Sequence, residues 1–204
     1  MKKLYILILV AMMGFNLQAQ QVNMDLFKSM KTRNVGPAGM SGRITAIDAV
    51  DDDPTIIYAG SASGGLWKST SGGIHWEPIF DDQKVHSIGA ISIYQKNPSV
   101  IWVGTGEGNP RNSLNLGYGV YRSLDAGKTW EMMGLEKTRA IHRIIVHPED
   151  PNTVYVGAIG SPWGEQEERG VYRTTDGGKT WKKILYVDTK TGVGEMIMDP
   201  NNPN

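Results

Sequence analysis

No cysteine occurs anywhere in the 204 residues, which excludes disulfides, thiolate metal sites and a lipid-anchored amino terminus. Net charge is missing too. The 21 Lys and Arg balance the 21 Asp and Glu, leaving no electrostatic footprint for nucleic acid and no basic face for an anionic membrane. The longest apolar run, Leu4 to Phe15, falls short of the roughly 20 residues that a bilayer span takes. A sustained 3.6-residue apolar period is also absent, so helix is a minor component at most.

The apolar run has a different use. Lys2 and Lys3 precede it and a short polar stretch ending at Ala19 follows, which is the pattern of a signal peptide over 1–19. The chain is then expected to be exported, periplasmic or extracellular, with no membrane span after the leader is removed. The leader takes two lysines and no acid with it, leaving 19 basic against 21 acidic side chains. Residues 20–42 read as an N-terminal extension.

From there on the chain repeats. STSGGIHW at 69–76, SLDAGKTW at 123–130 and TTDGGKTW at 174–181 are three copies of one phrase, and a recurrence every 50 or so residues means that one supersecondary unit is stamped out around an axis. Aligned on their tryptophans, IIYAG (56–60), VIWVG (100–104) and TVYVG (153–157) superpose, each led by a proline. RITAIDAV, SIGAISIY and AIHRIIVHP lie upstream; GLWKS, GVYRS and GVYRT lie downstream, followed beyond the tryptophans by EPIF, EMMG and KKIL. Short runs rich in Val, Ile, Tyr and Trp between Gly, Pro, Asn and Asp are strands joined by tight turns. Each unit is thus four antiparallel strands, and the inner runs are apolar on both faces, so neighbouring sheets must cover them. The predicted fold is all-β: a multi-bladed β-propeller, incomplete, with blades at about 43–82, 87–135 and 139–187 and the first strand of a fourth at 192–204.

Within the repeated phrase, Asp125 and Asp176 suit acceptors for turn N–H groups, Gly127 and Gly178 a left-handed backbone, Ser123 and Thr174 a hydroxyl bond, and Trp76, Trp130 and Trp181 burial between blades. Ser71 and His75 replace Asp and Thr in the first copy, which predicts a looser turn there. One carboxylate per turn falls short of the six to eight oxygens that calcium takes. His142 and His147 fall on opposite faces of one strand, and GEGNPRN lacks the lysine and helix of a phosphate loop. No metal or cofactor is expected.

The phrase resembles the Asp-box, or bacterial neuraminidase repeat. The chain from NVGPAGMSGRI at 34–44 to its last residue is similar to secreted bacterial proteins related to the sortilin propeller domain, through GSASGGLWKST, GTGEGNPRNSLNLGYGVYRSLDAGKTW and WGEQEERGVYRTTDGGKTW. That resemblance implies a ring of about ten blades and favours polypeptide ligands, on fold-level analogy; the chain is expected to be either a fragment, completed by the missing C-terminal blades of the same protein, or the product of a truncated gene.

Function belongs on the loops between second and third strands, opposite the boxes, where the copies differ most. Blade one has only SASG (61–64), whereas blade two inserts 105–118 and blade three inserts 158–169. Long loops on a rigid scaffold are the usual carriers of binding. Glu107, Arg111 and Asn112 on the first insert, and Trp163, Glu165, Glu167 and Arg169 on the second, are the candidate ligand-binding residues: an aromatic face beside carboxylates suits a sugar. No residue is assigned a catalytic role. The sequence reads as a recognition scaffold for a peptide, protein or polysaccharide. The alternative is a glycoside hydrolase of the endoglucanase or xyloglucanase kind, with Glu107 and Glu165 or Glu167 as its two carboxylates. Similarity to xyloglucan-cleaving endoglucanases implies a catalytic Asp just before the Gly-Gly of the first blade, where this chain has Ala62 and Ser63, and Arg43-Ile44-Thr45 departs from the Arg-Ile-Pro of sialidases.

Overall fold

The computed structural model describes residues 43–109 and 112–203, together with Asn23, Asp25 and Met30. The leader at 1–19, most of the extension at 20–42 and Arg111 lie outside the described residues. Twelve strands form three four-stranded antiparallel sheets, each built from consecutive strands. Blade one holds β1 (Ile44–Val50), β2 (Asp53–Ser61), β3 (Leu66–Ser69) and β4 (Glu77–Pro78); blade two β5 (Ile88–Ile93), β6 (Ile101–Thr105), β7 (Val120–Ser123) and β8 (Glu131–Met132); blade three β9 (Ile141–His147), β10 (Asp150–Ala158), β11 (Gly170–Thr174) and β12 (Lys182–Leu185). The helical content of these blades is one 3-10 turn, Glu136–Thr138. The chain is an all-β array of propeller blades.

The innermost strands β1, β5 and β9 pack side by side, and two apolar clusters fill the space between successive blades. Tyr58, Leu66 and Phe80 of blade one meet Ile88, Ile101, Val103 and Tyr121 of blade two. Trp102, Val120 and Met133 of blade two meet Ile141, Ile144, Val146, Val154 and Val156 of blade three. Both faces of the middle sheet are therefore buried, which explains why β6 reads as the continuous apolar run IWVGT where a half-exposed strand would alternate.

A glycine in each second strand sets how closely the blades approach. A Cβ on Gly60 would lie 2.4 Å from Ile88 Cγ2, one on Gly104 2.4 Å from Ile141 Cγ2, and one on Gly157 2.8 Å from Val193 Cγ1. The third contact matters because Val193 belongs to the segment expected to start a fourth blade. That segment stands against blade three as β5 and β9 stand against their predecessors, and the Arg143 guanidinium holds it by two bonds to Glu195, of 2.5 and 2.6 Å. It forms no ladder, because a strand is made by pairing and no second strand of its own blade lies beside it among the described residues.

Candidate functional site

Strand register separates two rims. In every blade the second and third strands pair so that the repeated phrase follows one end, at Ile57↔Ser69, Ile101↔Ser123 and Val154↔Thr174. The 62–65, 106–119 and 159–169 connections leave from the other end, at Gly60↔Leu66, Gly104↔Val120 and Ala158↔Gly170.

The box rim is a closed network. Ser123 Oγ donates to Asp125 Oδ1 at 2.8 Å and accepts from Gly127 N at 2.8 Å, while Thr129 donates its N–H to Asp125 Oδ1 and its hydroxyl to Oδ2. Thr174, Asp176, Gly178 and Thr180 repeat this bond for bond. The bonds from Thr129 and Thr180 draw the carboxyls of Asp125 and Asp176 down to about 2. Gly127 and Gly178 sit at φ +89° and +87°, the left-handed region that glycine tolerates. In the first copy Ser71 Oγ takes the N–H of His75 at 2.9 Å, but a hydroxyl has no second oxygen for the side chain at that position.

Boxes two and three are each tied to the preceding blade in both directions, whereas Trp76 Nε1 of the first box donates to Gly73 O of its own turn at 2.9 Å. Trp130 Nε1 donates to Ile79 O of the preceding blade at 2.7 Å, and Trp181 Nε1 to Met133 O at 2.6 Å. In the other direction Lys68 Nζ donates to Ala126 O at 3.0 Å and Arg122 Nη1 to Gly177 O at 2.8 Å, equivalent carbonyls of the next box. Both cations lie over an aromatic ring of the second strand, Tyr58 and Trp102. The basic residue that recurs at this position is thus an interblade tie. Arg173 lies over Tyr155 in the same manner.

The loop rim is built differently. The residue before each first strand accepts a bond from the residue after the second: Ala62 N donates to Arg43 O, Gly106 N to Ser87 O and Ile159 N to Ala140 O. This step places Arg43, Ser87 and Ala140 at the roots of the loops. Glu107 folds back over two of them. Its N–H bonds Asn115 O and Ser87 Oγ, both at 3.1 Å, and its carboxylate pairs through Oε1 with Arg43 Nη2. The Glu107 side chain is wholly buried, and its second oxygen, Oε2, has no partner. Asn115 Nδ2 lies 3.4 Å from Ala62 O, so the blade-two insert covers the short blade-one loop, and Ala62 is buried beneath it.

The remaining candidates separate by role. Arg169 is buried, and its terminal nitrogens donate to the carbonyls of Ile159, Ser161 and Gly164, so it shapes its own loop. Glu165 is tied to Thr189 Oγ1 at 2.7 Å and Lys190 Nζ at 3.2 Å, and the Thr189 bond, with Lys190 second, holds its carboxyl below the usual range. Asn112 and Glu167 are exposed, and Trp163 projects from its loop with 66% of its surface accessible. Glu107, Gly108, Ile159, Pro162, Arg169 and Lys190 line one cavity of about 310 Å³, together with Gly192 and Gly194. The two inserts and the 190–194 segment therefore share a cleft. Arg43, Thr189 and Lys190 are participants that loop length alone does not reveal; aligning the residue before each first strand across the repeats would have placed Arg43 at this rim.

Among the described residues no group of three or more His, Asp or Glu side chains is placed to hold a metal, and no helix is long and apolar enough to cross a membrane.

Residues 118–204 match the family model for sortilin, neurotensin receptor 3 (Sortilin-Vps10). The chain carries β-propeller blades, similar to that family over this stretch. It is similar to a xyloglucanase of Acetivibrio thermocellus, 26% identical over 184 residues, covering 84% of this chain and 20% of the relative. Among solved structures, an ancestral GH74 enzyme superposes with a TM-score of 0.55 at 23% identity, over 72% of this chain and 19% of the other. YCF48 from Cyanidioschyzon merolae superposes with a TM-score of 0.50 at 19% identity, over 74% and 40%. The chain spans about a fifth of the length of the curated relatives it matches.

Proposed function

We propose that these blades supply part of the recognition face of an exported propeller, which holds a polymer in the cleft between its inserted loops without cleaving it. One observation carries this reading: the two longest, most divergent loops line one cleft on the rim away from the boxes, and of the carboxylates there Glu107 and Glu165 are already engaged. A glycosidase needs a carboxylic acid held protonated near neutral pH and a second carboxylate across the scissile bond. Glu107 is locked to Arg43. Glu165 is held down by Thr189 and Lys190, the wrong direction for a general acid. Ala62, at the position where the resembled endoglucanases carry their acid, is covered by the blade-two insert. The leader pattern at 1–19 supports export.

The second reading is glycoside hydrolysis, favoured by the xyloglucanase relatives. Incubating the protein with soluble xyloglucan and measuring both retention on the immobilised protein and release of reducing ends separates the two. Retention of a glycan or a polypeptide without release supports recognition; release of reducing ends that disappears in Glu107→Gln or Glu165→Gln makes the protein an enzyme.

A further inference from the structure

We propose that the free face of blade three is the docking site for a fourth repeat of the same protein, which lays its second strand antiparallel along 193–199 and locks its box onto Arg173 and Ile184. The segment 193–199 has no ladder partner among the described residues, and such an edge offers a row of backbone groups to an incoming strand.

Repetition sets the register of that strand. Val193 stands against Gly157 as Ile88 stands against Gly60 and Ile141 against Gly104, so Glu195 and Ile197 hold the places of Ala90 and Ser92 on β5 and of Arg143 and Ile145 on β9. Those places pair with Gly104 and Trp102 in blade two and with Gly157 and Tyr155 in blade three. The incoming strand therefore sets an aromatic residue opposite Ile197, which is 84% exposed, and a glycine opposite Glu195. The residues flanking the aromatic turn the other way, into the preceding blade: Ile101 and Val103 share a core with Tyr58, and Val154 and Val156 share one with Trp102. On blade three that space is an open groove of about 240 Å³ lined by Ile145, Tyr155, Met196, Ile197 and Met198.

The box half of the joint is laid out as well. Lys68 and Arg122 lie over Tyr58 and Trp102 and donate to carbonyls of the next box, at Ala126 and Gly177. Arg173 lies over Tyr155 in the same way and makes no such bond among the described residues. Ile79 O and Met133 O accept from the tryptophans of the following boxes; Ile184, three residues past Trp181 as Met133 is past Trp130, holds the third such carbonyl. Phe80 is buried in the first joint, whereas Leu185 in the equivalent place is 56% exposed. Tyrosine, cation and carbonyl in these positions are what blade one shows to blade two, so the partner that fits is a unit built like blade two.

The test uses the full chain and a synthetic peptide of residues 98–133, which holds the second to fourth strands and the box of blade two. Fluorescence anisotropy of the labelled peptide reads binding, and hydrogen exchange reads protection of the 193–198 amides. Saturable binding with slowed exchange at 193–198 is expected. A peptide carrying V103D, which puts a charge into the groove, and a chain carrying R173A should each bind about tenfold more weakly or worse; R173K, with the cation that Lys68 supplies in blade one, should bind as the unaltered chain does. If R173A fails to fold, as its melting temperature will show, the V103D peptide decides alone. Absence of binding, binding without protection at 193–198, equal binding of the V103D peptide or the folded R173A chain, or lost binding in R173K overturns the proposal. A chain that sediments as a dimer with 193–198 already protected overturns it too, because a second copy then occupies the face.

Discussion

The two rims of this molecule are made by opposite rules. On the box rim blades two and three repeat the same bonds, from Ser123 and Asp125 to Thr174 and Asp176, and blade one keeps part of them through Ser69 and Ser71. On the loop rim the bonds at the loop roots repeat, but the inserts beyond them share neither length nor bond pattern. Fully satisfied polar networks rigidify the elements they join. The contrast teaches that stability has been concentrated at one edge of the blades, leaving the other free to vary.

Substitutions on the two rims should therefore report on different properties. The largest effect is expected from Trp181→Ala, which removes an edge-on contact with Trp102 and the bond to Met133 O. It should cost about 3 kcal/mol in denaturant unfolding, and a loss as small as that of a surface substitution would break the assignment of the box rim to stability. Thr174→Ala comes next, at about 1–2 kcal/mol, because the buried N–H of Gly178 loses its acceptor; Thr174→Ser, which restores the hydroxyl, should recover most of it.

Acid should act through the same rim and through the Arg143–Glu195 tie. Asp125, Asp176 and Glu195 have carboxyls drawn down to about 2, the first two by threonine bonds and the third by Arg143. A folded-state value below the unfolded one means a contribution fully present above the ordinary carboxylate range and lost as pH falls through about 2. Melting temperature should therefore drop between about pH 4 and pH 2, and Asp125→Asn with Asp176→Asn should flatten that drop; an unchanged slope would show that the boxes do not control acid stability.

Ala126 supplies a subtler comparison. It sits at φ +60°, where the equivalent residues are Gly72 and Gly177, so Ala126→Gly should stabilise by about 0.5–1 kcal/mol by relieving left-handed strain. Gly177→Ala should do the reverse and more, since its Cβ would lie 2.7 Å from Arg122 Nη1. The smallest stability effect belongs to the loop rim: Trp163→Ala, with its ring in solvent, should change unfolding by less than about 0.5 kcal/mol.

Much of this division can be read before any coordinates are known. Three tryptophan-ended phrases mark the blades, and the proline-led YAG, WVG and YVG runs mark the second strands, because turn chemistry and strand alternation are local properties that a short window records. Other features are not local. Arg43 and Glu107 are 64 positions apart, and nothing in either stretch names the other. Arg169 reads as a ligand-binding candidate in a charged loop, yet the loop curls so that three of its carbonyls face the guanidinium; only the path of the backbone reveals that. Lys68 and Arg122 are visibly in register, but their partners are carbonyls of the next blade's turn, and backbone acceptors carry no signature in sequence. The segment at 192–199 has the composition of a strand, and whether it forms one depends on a pairing partner outside its own residues.

The central claim, the proposal that recognition resides on the loop rim and stability on the other, is tested most directly by titrating the unaltered and the Trp163→Ala proteins with soluble xyloglucan, the glycan of the test above, while recording their melting temperatures. The account predicts binding weakened by about tenfold, the loss of one stacked ring, with the melting temperature unmoved. A protein that binds the glycan as before but melts earlier would contradict it.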